Sequence, residues 1–113
     1  MSAITTHVLD TARGRPAEGV PVRLEEVRDG GGRLLGRGTT DADGRLRELL
    51  PPGQALREGT YRLTFDTAAY FSAQGTSSFY PSVEIVFVVR DAAEHYHVPL
   101  LLSPFGYSTY RGS

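Results

Sequence analysis

Histidines at positions 7, 95 and 97, an arginine at 45 directly after a glycine turn, and the closing run Tyr110-Arg111-Gly112-Ser113 are the residues whose types and spacing could do chemistry. Imidazole is the only side chain that ordinarily titrates near neutral pH, so it can take a proton from water and give it back. Guanidinium groups keep their charge and offer forked donors to planar anions. If two imidazoles, the guanidiniums of Arg45 and Arg111, the Ser113 hydroxyl and a terminal carboxylate came together, they could bind a polar planar anion and activate water. Nothing in the spacing shows that they converge, and an edge strand with a solvated end suits the closing run equally well. A metal set of His95, His97 and His7 is the competing chemistry, since ligands two apart on a strand share a face. No Asp, Glu or Cys lies close by on that face, which argues against a metal site. A Ser-His-Asp triad has no nucleophile elbow to support it.

The elements that must position these residues read as short strands. Residues 3–9 alternate, with Ile4, Thr6 and Val8 on one side and Thr5, His7 and Leu9 on the other, so a core-facing Ile4 and Val8 turn His7 outward. Residues 10–19 form a loop, and Val20, Val22 and Leu24 open a half-buried strand with a charged wet face. Asp29-Gly30-Gly31-Gly32 is a hairpin signal, and its return strand is expected over 33–40. Asp41-Ala42-Asp43-Gly44 makes the next turn and delivers Arg45 at the start of a strand over 45–48. Tyr61, Leu63 and Phe65 alternate inward, and Asp66 or Thr67 can cap a two-turn helix over 68–73 that Gly75 ends. In 83–90, Val83, Ile85, Phe87 and Val89 face in while Val86 and Val88 face out; apolar residues on both faces predict a second burial surface, a subunit contact. Tyr96, Val98, Leu100 and Leu102 share one face of the next strand, with His95 and His97 on the other. A Ser103-Pro104-Phe105-Gly106 turn then leads into a final strand over 106–112. About eight short strands and one small helix predict an all-β, two-sheet sandwich.

Length and composition narrow the classes. A chain of 113 residues fits a single domain, 1–113. Such a chain removes roughly 65% of its unfolded surface from water, and assembly could add to its stability. Twelve basic against thirteen acidic residues, a net charge of -1, give no electrostatic case for nucleic acid or an anionic membrane. The absence of Cys excludes disulfides and thiolate chemistry. No window approaches the ~20 apolar residues of a membrane span, and the first residues have neither a basic nor an apolar signal region. A cytoplasmic protein is the expectation.

Three stretches carry a family resemblance: Ile4-Thr5-Thr6-His7-Val8-Leu9-Asp10, the turn Thr40-Asp41-Ala42-Asp43-Gly44-Arg45, and Tyr96-His97-Val98-Pro99-Leu100-Leu101-Leu102-Ser103-Pro104 followed by Tyr110-Arg111-Gly112-Ser113. Together they resemble the 5-hydroxyisourate hydrolases, the transthyretin-related enzymes of urate breakdown, over essentially the whole chain. The Tyr-Arg-Gly-Ser ending separates those hydrolases from transthyretin proper, which carries thyroid hormone. Phe105 departs from the pattern, standing where many members have Tyr. The resemblance implies a transthyretin-like sandwich forming a homotetramer, a dimer of dimers with the active site in the channel between dimers. It implies catalytic roles for His7, Arg45, His97 and Ser113, a pocket floor shaped by Tyr110, Arg111 and Gly112, and no cofactor or metal. The implied reaction is hydrolysis of 5-hydroxyisourate to 2-oxo-4-hydroxy-4-carboxy-5-ureidoimidazoline. The alternative is a transthyretin-like small-ligand binding protein without catalysis.

Overall fold

In the computed structural model, which describes residues 2–113, two sheets face each other across one apolar core. The strands are β1 (Ile4–Asp10), β2 (Arg15–Pro16), β3 (Pro21–Arg28), β4 (Gly31–Thr39), β5 (Arg45–Leu46), β6 (Gly59–Phe65), β7 (Val83–Val89), β8 (Tyr96–Ser103) and β9 (Gly106–Thr109). The helix α1 spans Thr67–Ser72. One sheet runs β2-β1-β8-β9 with β5 also paired to β1; the other runs β4-β3-β6-β7. The sandwich and its single helix agree with the pattern in the sequence, with nine strands among the described residues where about eight were expected. The ninth is β2, a two-residue rung on the outer edge of β1 inside the stretch predicted as loop. Likewise β5 is two residues long, not four.

Alternation builds the core. Val8, Leu24, Leu63, Phe65 and Leu100 are wholly buried. Removing each such side chain from water stabilises the fold by about 1.5–3 kcal/mol. Tyr61 stacks on Phe87 with ring centroids 6.1 Å apart. The helix starts where Asp66 accepts a hydrogen bond from the Ala69 amide at 3.1 Å, and just past its end Gly75 takes a φ of +68°. Buried Asp10 ties it to β1: one carboxylate oxygen caps the Ala12 and Arg13 amides, and the other accepts the Tyr70 hydroxyl at 2.7 Å. Burial first, and that carboxylate second, push the Tyr70 phenol above its ordinary pKa.

Two pairings decide what the outer face of the first sheet displays. β1 lies parallel to β8 with Thr5 opposite His97 and His7 opposite Pro99, and antiparallel to β5 with His7 opposite Arg45. The first and next-to-last strands are therefore neighbours in mid-sheet. A parallel pair needs a long connection, and here everything from β2 to β7 supplies it.

Candidate active site

On β1 the core claims Ile4 and Val8, so parity sends Thr5 and His7 to the outer face, where β8 contributes His97. Arg45 arrives through the turn before β5. Asp41 accepts hydrogen bonds from the Asp43 amide at 2.9 Å and the Arg45 amide at 3.0 Å, which folds the turn. The Arg45 amide is also the chief reason that the Asp41 carboxyl sits below its ordinary pKa. Gly44 completes the turn with a φ of +76°, and a Cβ there would run into the Val8 carbonyl, so only glycine fits. That turn fixes Arg45 beside His7.

A cleft of about 300 Å³ opens on this face, lined by Thr5, Arg45, Arg47, His95, His97 and Ser113 among others. His97 is half-buried, and its Nδ1 lies 2.8 Å from the Thr5 hydroxyl, while among the described residues no group bonds its Nε2. Loss of water around the ring, then the charge of Arg45, then His7 and His95, lower its pKa below the ordinary imidazole value. Each of these causes favours the neutral form of the His97 imidazole. The His7 Nε2 lies 2.8 Å from the Asp43 carbonyl oxygen. A carbonyl only accepts, so His7 carries its proton on Nε2 and presents Nδ1 as its lone pair when neutral.

The closing run splits. The Gly112 amide donates to the His97 carbonyl at 2.8 Å, in an antiparallel bridge that continues the β8–β9 register beyond Thr109. Pro99 has no amide to offer the ladder, and the regular strand stops at Thr109 where 112 was expected. A Cβ on Gly112 would stand 2.6 Å from His97 Cδ2, so the backbone is pressed against the imidazole edge and Ser113 reaches the cleft. Tyr110 and Arg111 lie elsewhere. They line a separate cavity of about 150 Å³ with Ile85, Phe87, Val88 and Tyr96. The Arg111 guanidinium sits 4.5 Å over the Tyr96 ring and donates to Glu94 at 2.7 Å.

The structure thus gathers Arg45, His97 and Ser113 at one cleft, with Gly112 packed against the His97 ring and His7 opposite Arg45 on the same face, and sets Tyr110 and Arg111 in a separate cavity. Of the other residues that line the cleft, two meet at the His97 ring. His95, assigned to the His97 face, stacks on that ring at 6.4 Å with planes 14° apart. Thr5, sharing a face with His7 in the sequence pattern, has its hydroxyl between the two imidazoles. Only the β1–β8 register could reveal that. Among the described residues no three His, Cys, Asp or Glu side chains gather as a metal-ligand set.

A two-layer strand sandwich with imidazole, guanidinium and hydroxyl groups around a cleft on one sheet face is a transthyretin-like architecture with a polar site. The model of the HIUase/Transthyretin family matches residues 4–112, and the chain belongs to that family. The 5-hydroxyisourate hydrolase of Mus musculus is 48% identical over 114 residues, covering 99% of this chain and 96% of its own. The solved structure of Klebsiella pneumoniae 5-hydroxyisourate hydrolase is 41% identical with a TM-score of 0.83, covering 97% of this chain and 98% of that one. Sea bream transthyretin in complex with thyroxine is 35% identical with a TM-score of 0.90, covering 98% and 95%.

Proposed function

We propose that this protein hydrolyses 5-hydroxyisourate to 2-oxo-4-hydroxy-4-carboxy-5-ureidoimidazoline in urate degradation, as a single domain acting in the cytoplasm. The observation that carries the reading is His97: an imidazole whose pKa is lowered beside Arg45, with no described residue bonded to Nε2, on a cleft that also holds Ser113. Relatives that carry the hydrolase name support the choice of substrate. His97 Nε2 takes a proton from water, whose oxygen adds to the ring carbonyl carbon. The carbonyl electrons move onto oxygen, where Arg45 balances the developing charge. Collapse of the adduct breaks the adjacent C–N bond, the leaving nitrogen takes a proton, and the new carboxyl group ionises. General-base help of this kind contributes about 10²- to 10⁴-fold. His7, fixed by the Asp43 carbonyl, and Ser113 orient the substrate. Tyr110 and Arg111 anchor the strand whose Gly112 forms the pocket floor. No metal or cofactor takes part.

The working form is a homotetramer, a dimer of dimers with the clefts facing an inter-subunit channel. Val86 and Val88 on the edge strand β7 are 59% and 46% exposed, and a second copy would cover them. The binding-protein reading, which the thyroxine complex of sea bream transthyretin brings to mind, is disfavoured by a cleft lined with Arg, His and Ser where an apolar ligand needs apolar walls. The test is the ultraviolet absorbance decay of freshly generated 5-hydroxyisourate with and without the protein. Acceleration by the wild type that His97→Asn abolishes is expected; equal decay in both samples refutes the hydrolase reading.

A further inference from the structure

Thr5 is only 4% exposed although it lies on the outer face of its sheet. Its hydroxyl stands 2.8 Å from His97 Nδ1 and 3.2 Å from His95 Nε2, and it has no other hydrogen-bond partner among the described residues. A hydroxyl owns one proton. It can donate to one ring and must accept from the other, so the proton positions of the two imidazoles are linked through Thr5. In one direction His97 donates from Nδ1, Thr5 donates to His95 Nε2, and His97 Nε2 faces the cleft as a bare lone pair. In the other, His95 donates from Nε2, Thr5 donates to His97 Nδ1, and His97 Nε2 carries the proton and cannot take one from water.

We propose that Thr5 is the positioning residue for His97, and that with His95 accepting its proton it holds His97 as the Nδ1–H tautomer. This rests on His97 being the base. The backbone makes the arrangement rigid: Thr5 and His97 are register partners in the parallel β1–β8 pair, and Gly112 closes on the far edge of the His97 ring. Near-parallel stacking keeps the His95 ring at the hydroxyl, and Arg111 donates to the His95 carbonyl at 3.4 Å. His95, exposed at the rim of the cleft, acts through Thr5. An orienting partner of a functional imidazole typically changes its performance by about 10- to 100-fold.

The experiment joins steady-state hydrolysis of 5-hydroxyisourate to ¹⁵N chemical shifts of histidine-labelled protein. Thr5→Val keeps the side-chain volume and deletes the hydroxyl. It is expected to lower kcat by about 10- to 100-fold with KM nearly unchanged, and to remove the preference for Nδ1–H at His97. Thr5→Ser restores the hydroxyl and is expected to return kcat to within about threefold of wild type. His95→Phe keeps a stacking ring, deletes the acceptor, and is expected to fall between them. Wild-type spectra in which neutral His97 carries its proton mainly on Nε2 overturn the proposal, whether or not any variant folds. So does Thr5→Val with wild-type kcat, or equal loss in the Ser and Val variants. Failure of the hydrolase reading itself is told apart, because it appears as absent turnover in the wild type while the tautomer measurement still decides the role of Thr5.

Discussion

Replacing Gly112 by Ala tests how the closing run is tied to His97, the proposed base. The added Cβ would stand 2.6 Å from His97 Cδ2, 3.2 Å from Pro99 Cγ and 3.4 Å from His97 Cγ. The first of these is roughly 0.8 Å short of ordinary carbon contact. Pro99 is buried and its ring cannot retreat, so one of two movements must relieve the overlap. Rotation of the His97 ring would break the 2.8 Å contact with Thr5, and lifting of the tail would break the 2.8 Å bond from the Gly112 amide and carry Ser113 away. Either displaces a proposed functional group by about 1 Å, a misplacement that costs about 10²-fold in rate, or about 2.7 kcal/mol of barrier. Overpacking costs about 1–3 kcal/mol of stability, so Gly112→Ala should remain folded and melt cooperatively. Measured against 5-hydroxyisourate, its kcat/KM should be down about a hundredfold. A variant within threefold of wild type would refute the close packing of Gly112 against His97.

The acid limb of kcat/KM should lie below the ordinary imidazole range, because burial and Arg45 oppose protonation of His97; Arg45→Gln removes a positive charge and should move that limb to higher pH. The same depression has a stability sign. The unfolded chain binds a proton at residue 97 more readily than the folded one, so stability falls as pH drops from about 6.5 through the lower folded-state pKa, and urea melts of His97→Gln should show a shallower fall. Tyr70→Phe leaves one oxygen of buried Asp10 without its 2.7 Å partner and should cost about 1–3 kcal/mol in denaturant melts, with turnover largely kept because the cleft lies elsewhere. Val86→Arg on the exposed face of β7 should shift sedimentation from the proposed tetramer to smaller species without loss of strand signal in circular dichroism.

What was legible in the sequence was whatever a short window of chain decides. Alternation in β1, β6, β7 and β8 placed Ile4, Tyr61, Val83 and Leu100 in the core, and the same parity put His7 and His97 outside. The Asp66 cap and Gly75 bounded the helix because both act within one turn of it. The rest depends on register between distant segments. β2 exists only because Leu9 and Asp10 have a free edge to offer Pro16 and Arg15, and β5 ends early because its pairing with β1 ends at Thr6. The separation of Tyr110 and Arg111 from the cleft follows from Pro99, which interrupts the ladder, and from the pull of Glu94 and the Tyr96 ring on one guanidinium. Thr5 offered no motif of its own. Its partners are 90 and 92 residues away, and no periodicity in β1 points to them.

That distance has a consequence for how the chain comes to fold. β1 leaves the ribosome well before β8, so the edge that will bond to β8 stays bare until a strand some 92 residues later has been made. Contacts so far apart in sequence form slowly, and an unpaired apolar strand is a template for the wrong neighbour in the meantime. Chaperone demand during synthesis should therefore concentrate on β1, the very segment that later carries His7 and Thr5.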